Sequence, residues 1–323
     1  MALPTATRER GINNGDSGRF FSWDRFRRTA IQKWGPGYIL ILPALVLIVV
    51  LMVYPLIQTV VFSLSTVQLP GLTATFTGLA NFIAIFGQAQ TLQTFLLTVI
   101  WIVGTVCLRF VLGFLAALVF NTKVRGTVWL RVLVILPWTV PSVVAANLWR
   151  WILQADNGLL DQTLRSWGLS AWALDWLGNP STALGAVIVA YSWAGFPFVM
   201  LLILAGMQGI PEERLEAARV DGANSWQVFR YITIPSVKPV LIVALILETV
   251  SAINAFDTIK VMTDGGPANA TQTWGLQIYT VGFDFYNLGQ ASAMSVLLLL
   301  VALVVFVIYG VSSSGRARKS RML

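Results

Sequence analysis

Two side chains of this 323-residue sequence carry charge in places where charge is expensive. Arg109 lies near the middle of an apolar run from Phe95 to Phe120, and Glu248 near the middle of another from Val237 to Ile259. An unpaired charge at the centre of a bilayer costs about 2.5–3.5 kcal/mol on insertion scales. The two residues are therefore expected to meet, directly or through water, and to fix the packing of the segments that carry them. The alternative is that Arg109 faces a hydrated cavity and Glu248 bonds another group. Two further polar and aromatic sets fall in apolar stretches, namely Tyr191, Ser192, Trp193, Gly195 and Phe198, and then Ser251, Asn254 and Asp257. Much other chemistry is missing from the sequence. Histidine is absent, Cys107 is the single cysteine, and no GxxxxGK[ST] loop occurs. Histidine-based triads, HExxH centres, zinc sets and a phosphate-cradling loop are thereby excluded, and no intramolecular disulfide is possible.

The elements that must position these residues are apolar helices. Of all residues 56% are hydrophobic and 11% charged, against about 25% charged in an ordinary soluble domain. A helix rising 1.5 Å per residue needs about 20 apolar residues to cross about 30 Å of hydrocarbon. Six stretches qualify: Tyr38 to Leu64, Phe95 to Phe120, Val128 to Leu153, Ala183 to Met207, Val237 to Ile259, and Ala291 to Tyr309. The first begins too late and runs too long for a cleavable signal peptide, so it is expected to stay as an anchor.

The net charge of +8 reports topology once the 22 Lys and Arg residues are assigned to loops. Seven precede the first span, four follow the last, three lie at or beside the turn after span two, and four lie between spans four and five or at the edge of five. The opposite side holds Arg150, Arg165 and Lys260, while Ser65 to Gln93 carries no charge. By the positive-inside rule both termini and the loop from Gln208 to Ser236 are cytoplasmic, and the basic balance gives no support to a nucleic-acid partner.

Met1 to Ser17 reads as a disordered tail. From Phe20 to Trp34, aromatic residues alternate with Arg25, Arg27, Arg28 and Lys33, the makeup of an interfacial helix on membrane lipid. The expected division is a tail and basic interfacial helix over 1–36, a six-helix membrane domain over 37–310, and a basic tail over 311–323. The outer loops, Ser65 to Gln93 and Gln154 to Thr182, are long enough for short helices. Trp167, Trp172, Leu174 and Trp176 suggest that the second rests on the interface or on a partner. Between spans four and five, Pro211 suits a first helical turn and Glu212 and Glu213 favour its positive end. Gly222 fits a terminating position with positive φ, and Ser225 can cap a second short helix carrying Trp226, Phe229 and Ile232. A helical hairpin over 210–235 results. On helix signals alone it also fits a solvated connector.

Glu216-Ala217-Ala218, Asp221-Gly222-Ala223, Phe229, Ile232 and Ile234-Pro235 resemble the EAA loop of ABC-importer permeases. Shorter pieces resemble the carbohydrate branch of the type I importers in their order along the chain. They are Thr77-Gly-Leu-Ala-Asn81-Phe82, Arg131 with Leu136-Pro137 and Pro141, Trp149, Gly158, Thr263 with Gly265-Gly266-Pro267 and Thr271, and Ala291-Ser292-Ala293. The resemblance covers about residues 38 to 310. It implies an all-α, six-span type I importer permease in the cell inner membrane, and a cytoplasmic coupling helix that docks on a separate ATPase. Glu216, Ala217, Ala218, Asp221, Gly222, Ala223, Phe229 and Pro235 then serve coupling. Implied partners are a second permease, identical or homologous, two ATPase subunits that hold ATP and Mg, and an extracytoplasmic solute-binding protein. No cofactor is implied on this chain. Arg109 departs from the family, which often has an aliphatic residue there.

A sugar path needs hydrogen-bond partners near mid-depth and a flat apolar face. Counted from the outer ends, Ser192 and Ser251 lie at similar depth, so Tyr191, Ser192, Trp193, Gly195 and Phe198 are expected to face one cavity with Ser251, Asn254 and Asp257. Close helix packing explains Gly195 better, and it explains Trp193, Phe198 and Asn254 equally well. An ABC permease for glycerol phosphate or another polar solute, an ion-coupled carrier or channel, and an intramembrane enzyme are the competing readings. The carrier would need carboxylates in relay, and the enzyme paired acid–base or metal ligands.

Overall fold

The computed structural model describes residues 40–68, 70–122 and 126–319; the expected tail and interfacial helix lie outside them. Residues up to 57 form one compact unit and those from 58 onward a second. Helix α1 covers Leu40–Ser63 and is long and apolar enough to span a membrane. A wide π turn interrupts it at Val49–Val53. Strands β1, Ser65–Gln68, and β2, Thr73–Phe76, form an antiparallel hairpin where helices alone were expected. Short α2, Ala80–Phe86, follows. The Asn81 amide ties its start to the hairpin by donating to the carbonyls of Ser63 and Ser65 at 3.1 and 2.9 Å.

Three more helices qualify as whole spans: α3, Gln90–Phe120, α7, Ala183–Gln208, and α9, Ser225–Asn254. Helices α3 and α7 pack along their length through two clusters of buried side chains. One contains Trp101, Val187 and Ala190, the other Ala117, Phe120, Val199, Met200 and Ile203. Trp101 donates its indole N–H to the Ala252 carbonyl at 2.9 Å, so α9 is held to the same core.

The third expected span is a broken one. Helix α4, Thr127–Thr139, and α5, Ser142–Ile152, meet at a bend of 98°. The cause is local: a residue before proline is pushed out of the helical region, and Val140, before Pro141, has φ −79° and ψ 129°. The fifth span also differs from expectation, since its helix stops at Asn254 and Ala255 turns at ψ 76°. Asp257 therefore belongs to a separate short helix, α10, Asp257–Met262. Helix α6, Leu159–Ser166, lies in the preceding long loop. Helix α11, Trp274–Tyr279, leads into α12, Leu288–Lys319, whose apolar part is Leu288–Val304. Among the described residues four helices span by length and composition, or five with the bent pair counted as one, and the sixth expected span corresponds to that shorter stretch.

Between α7 and α9 stands α8, Glu212–Val220, with Pro211 just before it. Gly222 turns the chain at φ 78°, a left-handed value that glycine adopts without strain. Asn224, not Ser225, caps the return helix: its side chain accepts from the Gln227 N–H while the Gln227 side chain accepts from the Asn224 N–H. Nor is the return helix short, because it continues through a π turn at Phe229–Thr233 directly into the span. Pro235 cannot donate to the carbonyl one turn back, and a widened turn in front of it is one way a helix absorbs that loss.

Candidate functional site: a mid-span cavity and a projecting hairpin

The bend in span three leaves one wall of a cavity of about 390 Å³, lined by Trp138 and Val140 from α4 and its end and by Ser142, Ala145 and Ala146 from α5. Irregular backbone at membrane depth is tolerated where it lines a cavity or is buried in protein. Helix α7 contributes Ala190, Tyr191, Ala194, Gly195 and Phe198, and α9 contributes Leu247, Glu248 and Ser251. The α7 set follows helical spacing, which puts residues three, four and seven apart on one face. Arg109 of α3 and Thr258 of α10 complete the lining.

Arg109 Nη1 donates to Glu248 Oε2 at 2.5 Å, and both side chains are buried, with about one-twentieth of their surface exposed. Nη2 donates to the Tyr191 carbonyl at 2.8 Å, and Cζ lies 3.8 Å from the centroid of the Tyr191 ring. Gly195 leaves the space this requires: a Cβ there would sit 2.1 Å from Arg109 Cζ. Arg109 Nε is buried and has no hydrogen-bond partner among the described residues. Across the cavity the Tyr191 hydroxyl lies 2.9 Å from Ser251 Oγ. Trp138 and Phe198 stack at 5.6 Å between centroids. Ser142 donates to Asp257.

The cavity sorts the expected path residues. Tyr191, Gly195, Phe198 and Ser251 line it, as do Arg109 and Glu248. Ser192 does not face it with Ser251. Its neighbour Tyr191 takes the cavity face, and one step of about 100° turns Ser192 into the protein, where its hydroxyl is buried without a partner among the described residues. Trp193, a further step round, packs edge-on against Trp149 at 5.8 Å. Asn254 sits at the end of α9 and donates to the Val250 carbonyl at 2.9 Å. Asp257 lies outside the lining and meets the wall through the hydrogen bond from Ser142. Trp138, Ser142, Ala194, Leu247 and Thr258 were not anticipated. The Val140-Pro141 step, which forces a break, was the signal for the first two.

The hairpin is a different kind of site. Glu216, Ala217, Asp221 and Gly222 are exposed, and Ala218 and Ala223 are partly so. Glu216 makes no ion pair or hydrogen bond with another described residue, so the local pairing with Arg219 that its spacing allows is not formed. Large apolar side chains stand in the open, with Val220 88% and Trp226 68% exposed. Phe229 links the hairpin to the bundle, meeting Phe114 of α3 edge-on at 5.9 Å and Trp226 at 5.5 Å. Several residues outside these two sites that carried the family resemblance support loops. Thr263 and Thr271 share a 2.8 Å hydroxyl contact, and Thr271 also donates to the Gly266 carbonyl at 2.8 Å.

Apolar helices of spanning length, a cavity among them and a helical hairpin between two of the spans are the parts of a membrane transport subunit. The chain belongs to the binding-protein-dependent transport system inner membrane component family, whose model matches residues 109–318. It is thus a permease subunit of an ABC importer. It is 37% identical over 278 residues to a trehalose/maltose transport system permease protein of Thermococcus litoralis, covering 84% of this chain and 92% of the relative. To an sn-glycerol-3-phosphate transport system permease protein of Brucella abortus it is 35% identical over 267 residues, covering 82% and 90%. The fold is shared with a chain of a bacterial ABC transporter involved in import of the acidic polysaccharide alginate, at TM-score 0.79, 22% identity, and 90% and 98% coverage.

Proposed function

We propose that this permease, with 37–310 as its membrane domain, forms half of the path of an ATP-driven importer for a sugar. The cavity is the mid-depth station of that path, and Tyr191, Gly195, Phe198 and Ser251 contact the solute. The solute is delivered by an extracytoplasmic binding protein, and a homologous second permease closes the other half of the path. Support for a sugar comes from the relatives named above and from the pairing of stacked aromatic faces with hydroxyl and carbonyl groups, which suits the CH faces and OH edges of a pyranose.

The observation that carries the coupling role is the hairpin itself. Exposed apolar side chains beside the exposed carboxylates of Glu216 and Asp221, on a turn tied to span two by Phe229, suit docking on another protein. That partner is the ATPase, which holds ATP and Mg. Glu216, Ala217, Ala218, Asp221, Gly222 and Ala223 meet its surface, while Phe229 and Pro235 join the hairpin to the bundle. Both termini and the hairpin then lie in the cytoplasm, in keeping with their Lys and Arg residues. ATP binding closes the ATPases, the hairpins move with them, and the cavity alternates between the two sides. Reconstitution in vesicles with both permeases, the ATPases and the binding protein tests this. Uptake of sugar should follow ATP hydrolysis and stop when the ATPase is omitted; uptake that persists without it would refute the reading.

A further inference from the structure

We infer that the Arg109–Glu248 pair is part of the solute site and selects neutral polyhydroxylated solutes over anionic ones. The inference rests on reading the cavity as the solute path. An ion pair is not needed to pack two helices. Replacing a buried pair by apolar residues of similar volume is often neutral or stabilising, and here the neighbouring clusters are made of apolar side chains. The position of the pair is therefore the informative fact. Both residues lie on the wall of the mid-span cavity, beside the stacked Trp138 and Phe198.

The pair has hydrogen-bonding capacity to spare. A guanidinium carries five N–H donors in a fixed plane. Glu248 and the Tyr191 carbonyl take one each from Arg109. Glu248 Oε1 accepts nothing from the described residues. Held by Glu248, by the Tyr191 carbonyl and by the Tyr191 ring, with Gly195 leaving its space, the guanidinium is pre-oriented. Donors and an acceptor side by side match adjacent hydroxyls, each of which both gives and takes a hydrogen bond. A phosphate or carboxylate fits poorly, because it can use only the donors and must lie close to the Glu248 carboxylate. Arg109 and Glu248 are the charged residues of the lining, so the net charge is zero. The one carboxylate bonded to the wall from outside, Asp257, makes the surroundings more negative. An anion entering this space loses its hydration without gaining a free cation.

The test uses the assembled transporter in detergent with Cys107→Ser and Ser142→Cys, so that a thiol reagent reads occupancy of the cavity without the binding protein's own selectivity. Neutral solutes are paired with charged counterparts: maltose with maltose 6′-phosphate, glucose with glucose 6-phosphate, and glycerol with glycerol 3-phosphate. Neutral members should protect residue 142 from modification at about tenfold lower concentration than their phosphates. Glu248→Gln, which leaves the Arg109 charge uncompensated, should shift that preference about tenfold toward the phosphates. Arg109→Met with Glu248→Leu strands no charge and should assemble with the ATPase, yet lose about tenfold in protection by neutral sugars. Equal protection by phosphates in the parent, or sugar protection unchanged in the double variant, would overturn the inference and reduce the pair to a packing device. A complex in which neutral sugars never protect but ATP-driven sugar uptake persists would overturn the inference while sparing the importer reading. Absence of ATP-driven uptake of every solute would remove both.

Discussion

The cavity and the hairpin hold their carboxylates in opposite ways. Glu248 is buried and bonded to Arg109 at 2.5 Å on the wall of the cavity. Glu216 is exposed on a two-helix projection and bonded to no described residue. A buried charge that loses its partner is stranded in low dielectric, whereas an exposed charge that loses a neighbour is solvated by water. Truncating Glu248 should therefore damage this chain, and truncating Glu216 should damage its meeting with another.

The largest expected effect is at the cavity. Glu248→Ala leaves Arg109 buried and unpaired, which should cost about 3–5 kcal/mol. Thermal unfolding of the purified chain in detergent measures this, and Arg109→Met with Glu248→Leu should recover most of the loss. A single variant as stable as the parent would mean that water reaches Arg109 freely, and the contrast with Glu216 would disappear.

Glu216→Ala sharpens the contrast from the other side. Its melting temperature should match the parent, since surface changes away from special features stay within about 0.5 kcal/mol. Docking to the ATPase should weaken by about 2–5 kcal/mol, much of it from the partner charge left unpaired. A fall in the intrinsic melting temperature would show that Glu216 serves the fold.

Gly195→Ala should fall below these. The added methyl meets the guanidinium and forces it to shift, at about 1–3 kcal/mol. Sugar protection of the cavity should weaken together with stability; if stability alone falls, the orientation of Arg109 does not matter to the solute.

The smallest effect concerns the loop beyond span five. A hydrogen bond to Asp264 raises the Lys260 amine above its ordinary 10.5; desolvation opposes this, and Asp284 adds to it. A raised folded-state value means that the contribution is present below 10.5 and lost as pH rises through the folded value. Lys260→Met should thus lower stability by about 1 kcal/mol or less at neutral pH, with the difference from the parent closing in strongly alkaline buffer. A difference that persists there would assign the effect to packing of the Lys260 side chain rather than to its charge.

The two regions also differ in how far the sequence reveals them. The hairpin is built from neighbours in the chain, so Pro211, the paired acids and Gly222 were enough to place the first helix and the turn, while the continuation of the return helix into span five was not foreseen. One cap was misassigned, because Asn224 and Ser225 are both good capping residues and only the former is followed at the third position by a glutamine. The cavity draws on residues from 109 to 258, and no local pattern brings those together. Arg109 and Glu248 could be paired in advance because the cost of an isolated intramembrane charge leaves few choices. Ser192 and Ser251 could not be sorted by depth alone, since depth says nothing of which face a residue occupies. The break at Val140-Pro141 was legible as a restriction on Val140, but its 98° bend, and hence the wall carrying Trp138 and Ser142, depends on packing against α7 and α10.

The central claim is that the hairpin transmits ATPase motion to the bundle, and solute-stimulated ATP hydrolysis in vesicles, read beside co-purification of the ATPase subunits, tests it most directly. Glu216→Ala and Gly222→Asp should leave the chain inserted and the cavity protectable by sugar, while co-purification falls and hydrolysis no longer responds to solute. Parental values for both variants in both assays would contradict the account and make the hairpin an ordinary connector.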